Sequence, residues 1–144
     1  MLRTFIAATL VTLSLAAPAR AGVVEIKMLN KGEDGTIMVF DPAYVRLEPG
    51  DTLRFLATDK GHNAESVKGM HPSGAETFKG KINQEIEVTF EREGWYGILC
   101  KPHFAMGMVM VVEVGDADVP EDFLAGRIPP RAMARFEDAI ARAQ

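Results

Sequence analysis

Cys100, His103 and Met108 stand in one short segment, Gly97-Ile98-Leu99-Cys100-Lys101-Pro102-His103-Phe104-Ala105-Met106-Gly107-Met108, and Cys100 is the only cysteine of the 144-residue chain. A thiolate, neutral imidazoles and a thioether suit copper. Two His and one Cys in a trigonal plane with a long axial Met form the ligand set of a blue-copper electron-transfer site. The segment supplies one cysteine, one histidine and the methionine. A second histidine must come from elsewhere, and the remaining ones are His62 and His71.

Taken singly, each residue has a plainer explanation. A lone cysteine is usually a small buried hydrophobe, and methionine often only fills a core. The combination is different, because these residue types recur at loop positions and not on a core period. Met108 is the axial candidate. Met106 belongs to the loop crest beside Pro102 and Ala105, and Met110 lies inside an apolar run whose ordinary role is core packing. His62, in Gly61-His62-Asn63, sits at a strand end beside a glycine that permits close backbone approach. His71, in Met70-His71-Pro72, has no flanking strand to hold it and is the alternative to His62.

The elements that must hold these residues are strands. Val23 to Met28 alternates with Val24, Ile26 and Met28 on one side, the period of a half-buried strand. Asn30 to Gly35 reads as a turn. Met38 to Phe40 and Tyr44 to Leu47 are short strands broken by Asp41-Pro42, and Glu48-Pro49-Gly50-Asp51 is a turn in which Pro fixes φ and Gly accepts φ > 0. Thr52 to Ala57 points Leu53 and Phe55 inward. Ile82 to Phe90 is a further strand, then Trp95 to Cys100. Met108 to Val114 is apolar on both faces, as a central strand covered on two sides must be. Several short strands separated by turn signals predict a β-sandwich. Val119 to Ala125 and Pro130 to Ala143 lose the period of two, with Met133, Phe136 and Ile140 at helical spacing. Pro129-Pro130 opens the second of these helices and Gly126 closes the first.

Residues 1–21 have the pattern of an export leader: Arg3 near the start, an apolar run from Phe5 to Ala17, and the small-x-small signal Ala19-Arg20-Ala21. The apolar run is too short for a permanent span, so no membrane insertion is expected. The mature chain is expected to begin at Gly22 and to form a single domain over 22–144, with a helical extension over 117–144. Loss of the two arginines Arg3 and Arg20 moves the net charge from −4 to −6, which argues against nucleic-acid binding. A lone cysteine in an oxidising compartment forms no internal disulfide, and is a hazard unless buried or bound to metal.

Val45 to Phe55 with its Pro49-Gly50-Asp51 turn, Gly61-His62-Asn63, and Cys100-x-x-His103-x-x-x-x-Met108 together resemble the cupredoxin family. The ligand spacing is shared with plastocyanins. The helical tail is not, since plastocyanins end with the strand after the ligand loop and another branch of the family carries two C-terminal helices. The resemblance implies an all-β Greek-key sandwich of about eight strands with two C-terminal helices, and one type 1 copper per chain on His62, Cys100, His103 and Met108. It further implies a monomeric periplasmic carrier that passes single electrons to a redox partner such as copper nitrite reductase. No ligand role carries over to His71.

Other functions are weaker. A periplasmic copper-delivery protein needs labile, exposed Met or His clusters, and an enzyme needs an open substrate position that a four-ligand site does not leave. Zinc also takes Cys and His, but a methionine ligand speaks against it. Lys60, Lys68, Lys79, Lys81 and Lys101 fall in segments expected around the copper end, with His103 bordered by Pro102, Ala105, Met38 and Met106. That arrangement predicts an acidic-surfaced redox partner.

Overall fold

The computed structural model describes residues 21–144, so the expected leader lies outside the described residues apart from Ala21. Eight strands form: β1 (Val23–Lys31), β2 (Ile37–Asp41), β3 (Tyr44–Leu47), β4 (Asp51–Leu56), β5 (Glu65–Ser66), β6 (Ile86–Phe90), β7 (Gly94–Leu99) and β8 (Val109–Val114). One helix, α1 (Pro130–Ala141), follows. The strands divide into two four-stranded sheets, ordered β2-β1-β4-β6 and β3-β8-β7-β5. The expected β-sandwich is therefore the observed architecture.

Alternation decides which face of the first sheet is inside. Ile26, Met28, Phe40, Leu53, Phe55 and Phe90 point inward and are buried, while Arg54 on the outer face lies between Glu25 at 3.3 Å and Glu87 at 2.7 Å. Exposed pairs of this kind contribute little, so the apolar inner face holds the sheet.

β8 is central, and its apolar run serves both faces. Met110, Val112 and Val114 pack into the core between the sheets with Cys100 and Met108. Val109 and Val111 pack on the opposite face with Trp95, Leu99, Phe123 and the buried stripe of α1, which is Ala132, Phe136 and Ala139. Deleting Phe136 to alanine removes the largest buried side chain of α1 and should cost about 3–5 kcal/mol.

The structure departs from expectation at the tail. Only one of the two C-terminal helices forms. Val119 to Ala125 makes successive turns instead, with Phe123 N–H donating to Pro120 O at 3.0 Å and Ala125 N–H to Asp122 O at 2.9 Å. The stretch is shorter than a self-sustaining helix, and its one fully buried anchor is Phe123, edge-on to Trp95 at 6.3 Å, with Val119 and Leu124 partly buried against the same cluster. In α1 the buried positions are Ala132 and Ala139 beside Phe136, with Met133 and Ile140 half-buried at the flanks. Two smaller corrections bear on the site. β1 continues through Asn30, which the sequence placed in a turn, and the strand before Phe90 begins only at Ile86, leaving Ile82 exposed.

Candidate metal centre

Three stretches meet at one end of the sandwich. The first is the end of β1, the second the chain after β4, and the third the loop between β7 and β8. That loop is closed by its own backbone. Cys100 N–H donates to Met108 O at 2.9 Å, which makes the two residues the last rung of the hairpin. Between them Lys101–Met106 makes two tight turns of three residues each that meet at a kink at His103 (φ −116°, ψ 17°), and Gly107 ends the second in the left-handed region at φ 88°. In such a turn residues three apart eclipse, which puts His103 over Cys100. The Sγ of Cys100 is 3.5 Å from Nδ1 of His103. Met108 N–H donates back to His103 O at 3.1 Å, so backbone bonds tie Met108 to both Cys100 and His103.

His62 arrives from the other sheet. Its Nδ1 lies 3.1 Å from Nδ1 of His103 and 3.7 Å from the Cys100 sulfur. Metal–nitrogen bonds of about 2.0 Å and metal–thiolate bonds of about 2.3 Å imply donor separations of about 3.5–3.8 Å around a shared centre. The two sulfur–nitrogen distances, 3.5 and 3.7 Å, fall in that range and the nitrogen–nitrogen distance of 3.1 Å is slightly below it, so the triangle of donors is close to the size for one first-row ion. Among the described residues this is the group of His, Cys and acidic side chains whose donor atoms converge, all within 4.8 Å.

The protonation states follow from the partners. Nε2 of His62 is 3.0 Å from Oδ1 of Asn30, an acceptor, so Nε2 carries the proton and Nδ1 turns a lone pair toward the cluster. Burial holds the His62 pKa below its ordinary value, reinforced by His103 and opposed by Asp59. His62 is therefore neutral, as a ligand must be. Burial pushes the Cys100 thiol up, against the backbone N–H groups of Asn63 and His103, which pull it down. A cation in the triangle would supply the charge that makes the thiolate stable there.

Asn63 holds the two halves of the site together. Its Oδ1 accepts from Lys101 N–H at 2.7 Å, and its Nδ2 donates to Gly80 O at 3.0 Å and to Glu65 at 3.0 Å. The sequence reading missed the role of this side chain. It missed Asn30 altogether. The one available signal was the adjacency of Asn63 to a candidate ligand.

Met108 is fully buried in the core cluster that also holds Cys100, and Met110 packs on β8. Met106 is half-buried at the end of the tight helix. His71 lies apart from the cluster, its Nδ1 3.2 Å from Pro72 O.

Residues 26–115 match the model of the copper binding proteins of the plastocyanin/azurin family. The chain is 48% identical over 139 residues to a pseudoazurin of Paracoccus pantotrophus, covering 94% of each, and 53% identical over 116 residues to a pseudoazurin of Methylorubrum extorquens, covering 79% of this chain and 78% of that one. The solved pseudoazurin structure from Methylobacterium extorquens AM1 superimposes with a TM-score of 0.79 at 48% identity, covering 85% of this chain and 99% of that one. Among the described residues no helix is long and apolar enough to cross a membrane.

Proposed function

Since the chain belongs to the plastocyanin/azurin family of copper-binding proteins, matching its pseudoazurin branch along nearly its whole length, we propose that His62, Cys100, His103 and Met108 hold one type 1 copper and that electrons cross at His103. The family consists of electron-transfer proteins and not enzymes. When bound, copper supplies a one-electron Cu(II)/Cu(I) couple.

The chain's residues do the rest. Cys100 would offer the thiolate, His62 and His103 the two imidazole lone pairs, and Met108 a thioether. Strand ends and the closed loop hold all four, so the donors move little when the charge of the centre changes. The observation that carries the reading is the burial pattern. His62, Cys100 and Met108 are wholly buried, while His103 is half-exposed on the loop. It is the one member of the set that reaches solvent, and a partner placed there is nearest the centre.

The finer reading is a soluble monomer in the periplasm, delivering electrons to an acidic-surfaced reductase such as a nitrite reductase. Lys60, Lys79, Lys81 and Lys101 are exposed. Gly80 N–H bonds Ala64 O at 2.9 Å and Asn83 N–H bonds His62 O at 2.9 Å, which keeps the segment of Lys79 and Lys81 beside His62. Lys68 lies farther off, because the β5–β7 register runs from Glu65 opposite Leu99 toward Gly97 and away from the ligand loop. Export with cleavage before Gly22 is favoured by Asp51, whose carboxylate accepts the Gly22 N–H and would there meet the new terminal ammonium.

Loading the purified protein with Cu(II) tests the reading. The expected result is an intense visible thiolate-to-copper band with the EPR signature of a type 1 centre, both bleached by a one-electron reductant. A colourless protein that takes zinc in preference, or one that releases copper to a weak chelator within seconds, would sink it.

A further inference from the structure

We propose that Arg135 is a positioning residue of the copper loop, fixing the Gly107–Met108 peptide unit and through it the place of the Met108 thioether. The inference rests on the copper reading above. Arg135 lies in the middle of α1, and its Nη1 donates to Met38 O at 2.7 Å and to Gly107 O at 2.8 Å, while Nη2 donates to Ile37 O at 2.9 Å. One planar fork thus joins the start of β2 to the end of the ligand loop.

The Gly107–Met108 peptide is gripped at both ends. Its carbonyl accepts from Arg135, and its N–H donates to His103 O at 3.1 Å. Met108 O is held in turn by Cys100 N–H at 2.9 Å. The contact with the helix is also close in space. A Cβ at Gly107 would stand 3.0 Å from Cδ and Nε of Arg135 and 3.1 Å from Arg131 O, so only glycine lets the loop lie on the arginine stem. Met38, at the other end of the fork, has φ 54°, a left-handed conformation unusual outside glycine.

All three acceptors are neutral carbonyls, and none of Arg135's hydrogen-bond partners is a carboxylate. The guanidinium is half-buried and forms no ion pair among the described residues, and burial and then neighbouring Arg131 pull its pKa below the ordinary value against the opposite pull of Asp34. An arginine retained under those conditions contributes geometry. It gives the sandwich-side helix a direct hold on the axial side of the site, which the covalent loop alone does not provide.

The test compares Arg135→Met, which keeps the stem and removes the fork, and Arg135→Lys, which keeps the charge but not the three-way geometry, with Arg142→Met just past the C-terminus of the same helix as control. In the copper-loaded protein, Arg135→Met is expected to alter the intensity ratio of the visible bands and the EPR rhombicity and to shift the reduction potential, with Arg135→Lys intermediate and Arg142→Met unchanged. In the metal-free protein, the Met108 amide should exchange at least tenfold faster in Arg135→Met while the Gly97 amide on β7 keeps its rate. Unchanged spectrum, potential and Met108 exchange in a folded Arg135→Met would overturn the proposal. If that variant does not fold, Arg135→Lys decides, and wild-type values in it overturn the proposal equally. A wild-type protein that shows no blue centre overturns the copper reading instead, and the exchange experiment still judges the arginine.

Discussion

Oδ1 of Asn30 stands 3.0 Å from Nε2 of His62, and the opposite ring nitrogen, Nδ1, stands 3.1 Å from its counterpart on His103. The first contact fixes the tautomer that the second needs. Replacing Asn30 by leucine leaves the His62 N–H without its acceptor and the ring free to rotate. Copper affinity should fall about 10–100-fold, the usual effect of losing such a partner, while Asn30→Asp retains most of it. Competition against a chelator of known affinity measures this. Equal affinities in the leucine variant and the wild type would refute the role.

Cys100→Ser should abolish the blue colour, since a hydroxyl cannot replace the soft thiolate. Met108→Gln should keep copper and the charge-transfer band but lower the reduction potential, because a harder oxygen donor favours Cu(II). The half-buried Met106 provides the control. A shift on replacing Met106, with none on replacing Met108, would reverse the axial assignment.

Asn63→Ala removes three hydrogen bonds at once, from Lys101 N–H and to Gly80 O and Glu65. An unsatisfied buried group costs about 1–3 kcal/mol, so a loss of a few kcal/mol in stability is expected, with a lower melting temperature already in the metal-free protein. Denaturant unfolding of metal-free wild type and variant checks it. A loss seen only with copper bound would confine Asn63 to the metal.

Tyr44 links stability to alkaline pH. Burial, and after it the hydrogen bond its hydroxyl donates to buried Glu113, raise its pKa from 10.0 to about 12. The folded state favours the neutral phenol, so this contribution is complete below pH 10 and is lost as pH rises toward about 12. In Tyr44→Phe that alkaline decline should shrink. The variant should also be less stable at neutral pH, by about 1–3 kcal/mol, because among the described residues the Glu113 carboxylate keeps only Arg46, at 3.7 Å, as a polar partner. Unfolding free energies measured from pH 7 to 12 decide it, and parallel curves for the two proteins would contradict the assignment.

Charge reversal at Lys60 or Lys101 should slow association with an acidic-surfaced acceptor, and the wild-type rate should fall as salt rises, because exposed rim charges act mainly on encounter. Reversal at Lys68, farther from the ligand loop, should have a smaller effect, and reversal at Arg142, just past the end of α1, almost none. Stopped-flow rates across a salt series separate these cases. A rate indifferent to salt would make the lysines a solvated surface only.

Much of this protein was legible from local order. The period of two in Val24, Ile26 and Met28 and the two-sided apolar run of β8 gave the sandwich, because one buried face imposes alternation and two abolish it. Cys100, His103 and Met108 were legible as a set because one loop carries them, and the spacing of three matches one turn of a tight helix. The tail was misjudged where Val119 to Ala125 is too short to sustain a helix and depends on Phe123 finding Trp95. Periodicity cannot register that contact.

The partners of the site came only with the tertiary structure. Asn30 is 32 residues from His62, Asn63 is 38 from Lys101, and Arg135 is 97 from Met38. No local pattern marks such pairs. They are set by the parallel pairing of β1 with β4, which carries Asn30 to the end where His62 emerges, and by the seating of α1 on β8 and the ligand loop. The sequence by itself determined which side chains offer donors of the kind that suit a metal, because donor chemistry belongs to the side chain. Their tautomer, their orientation and their resistance to movement depend on hydrogen bonds between distant segments, and only the packed fold brings those segments together.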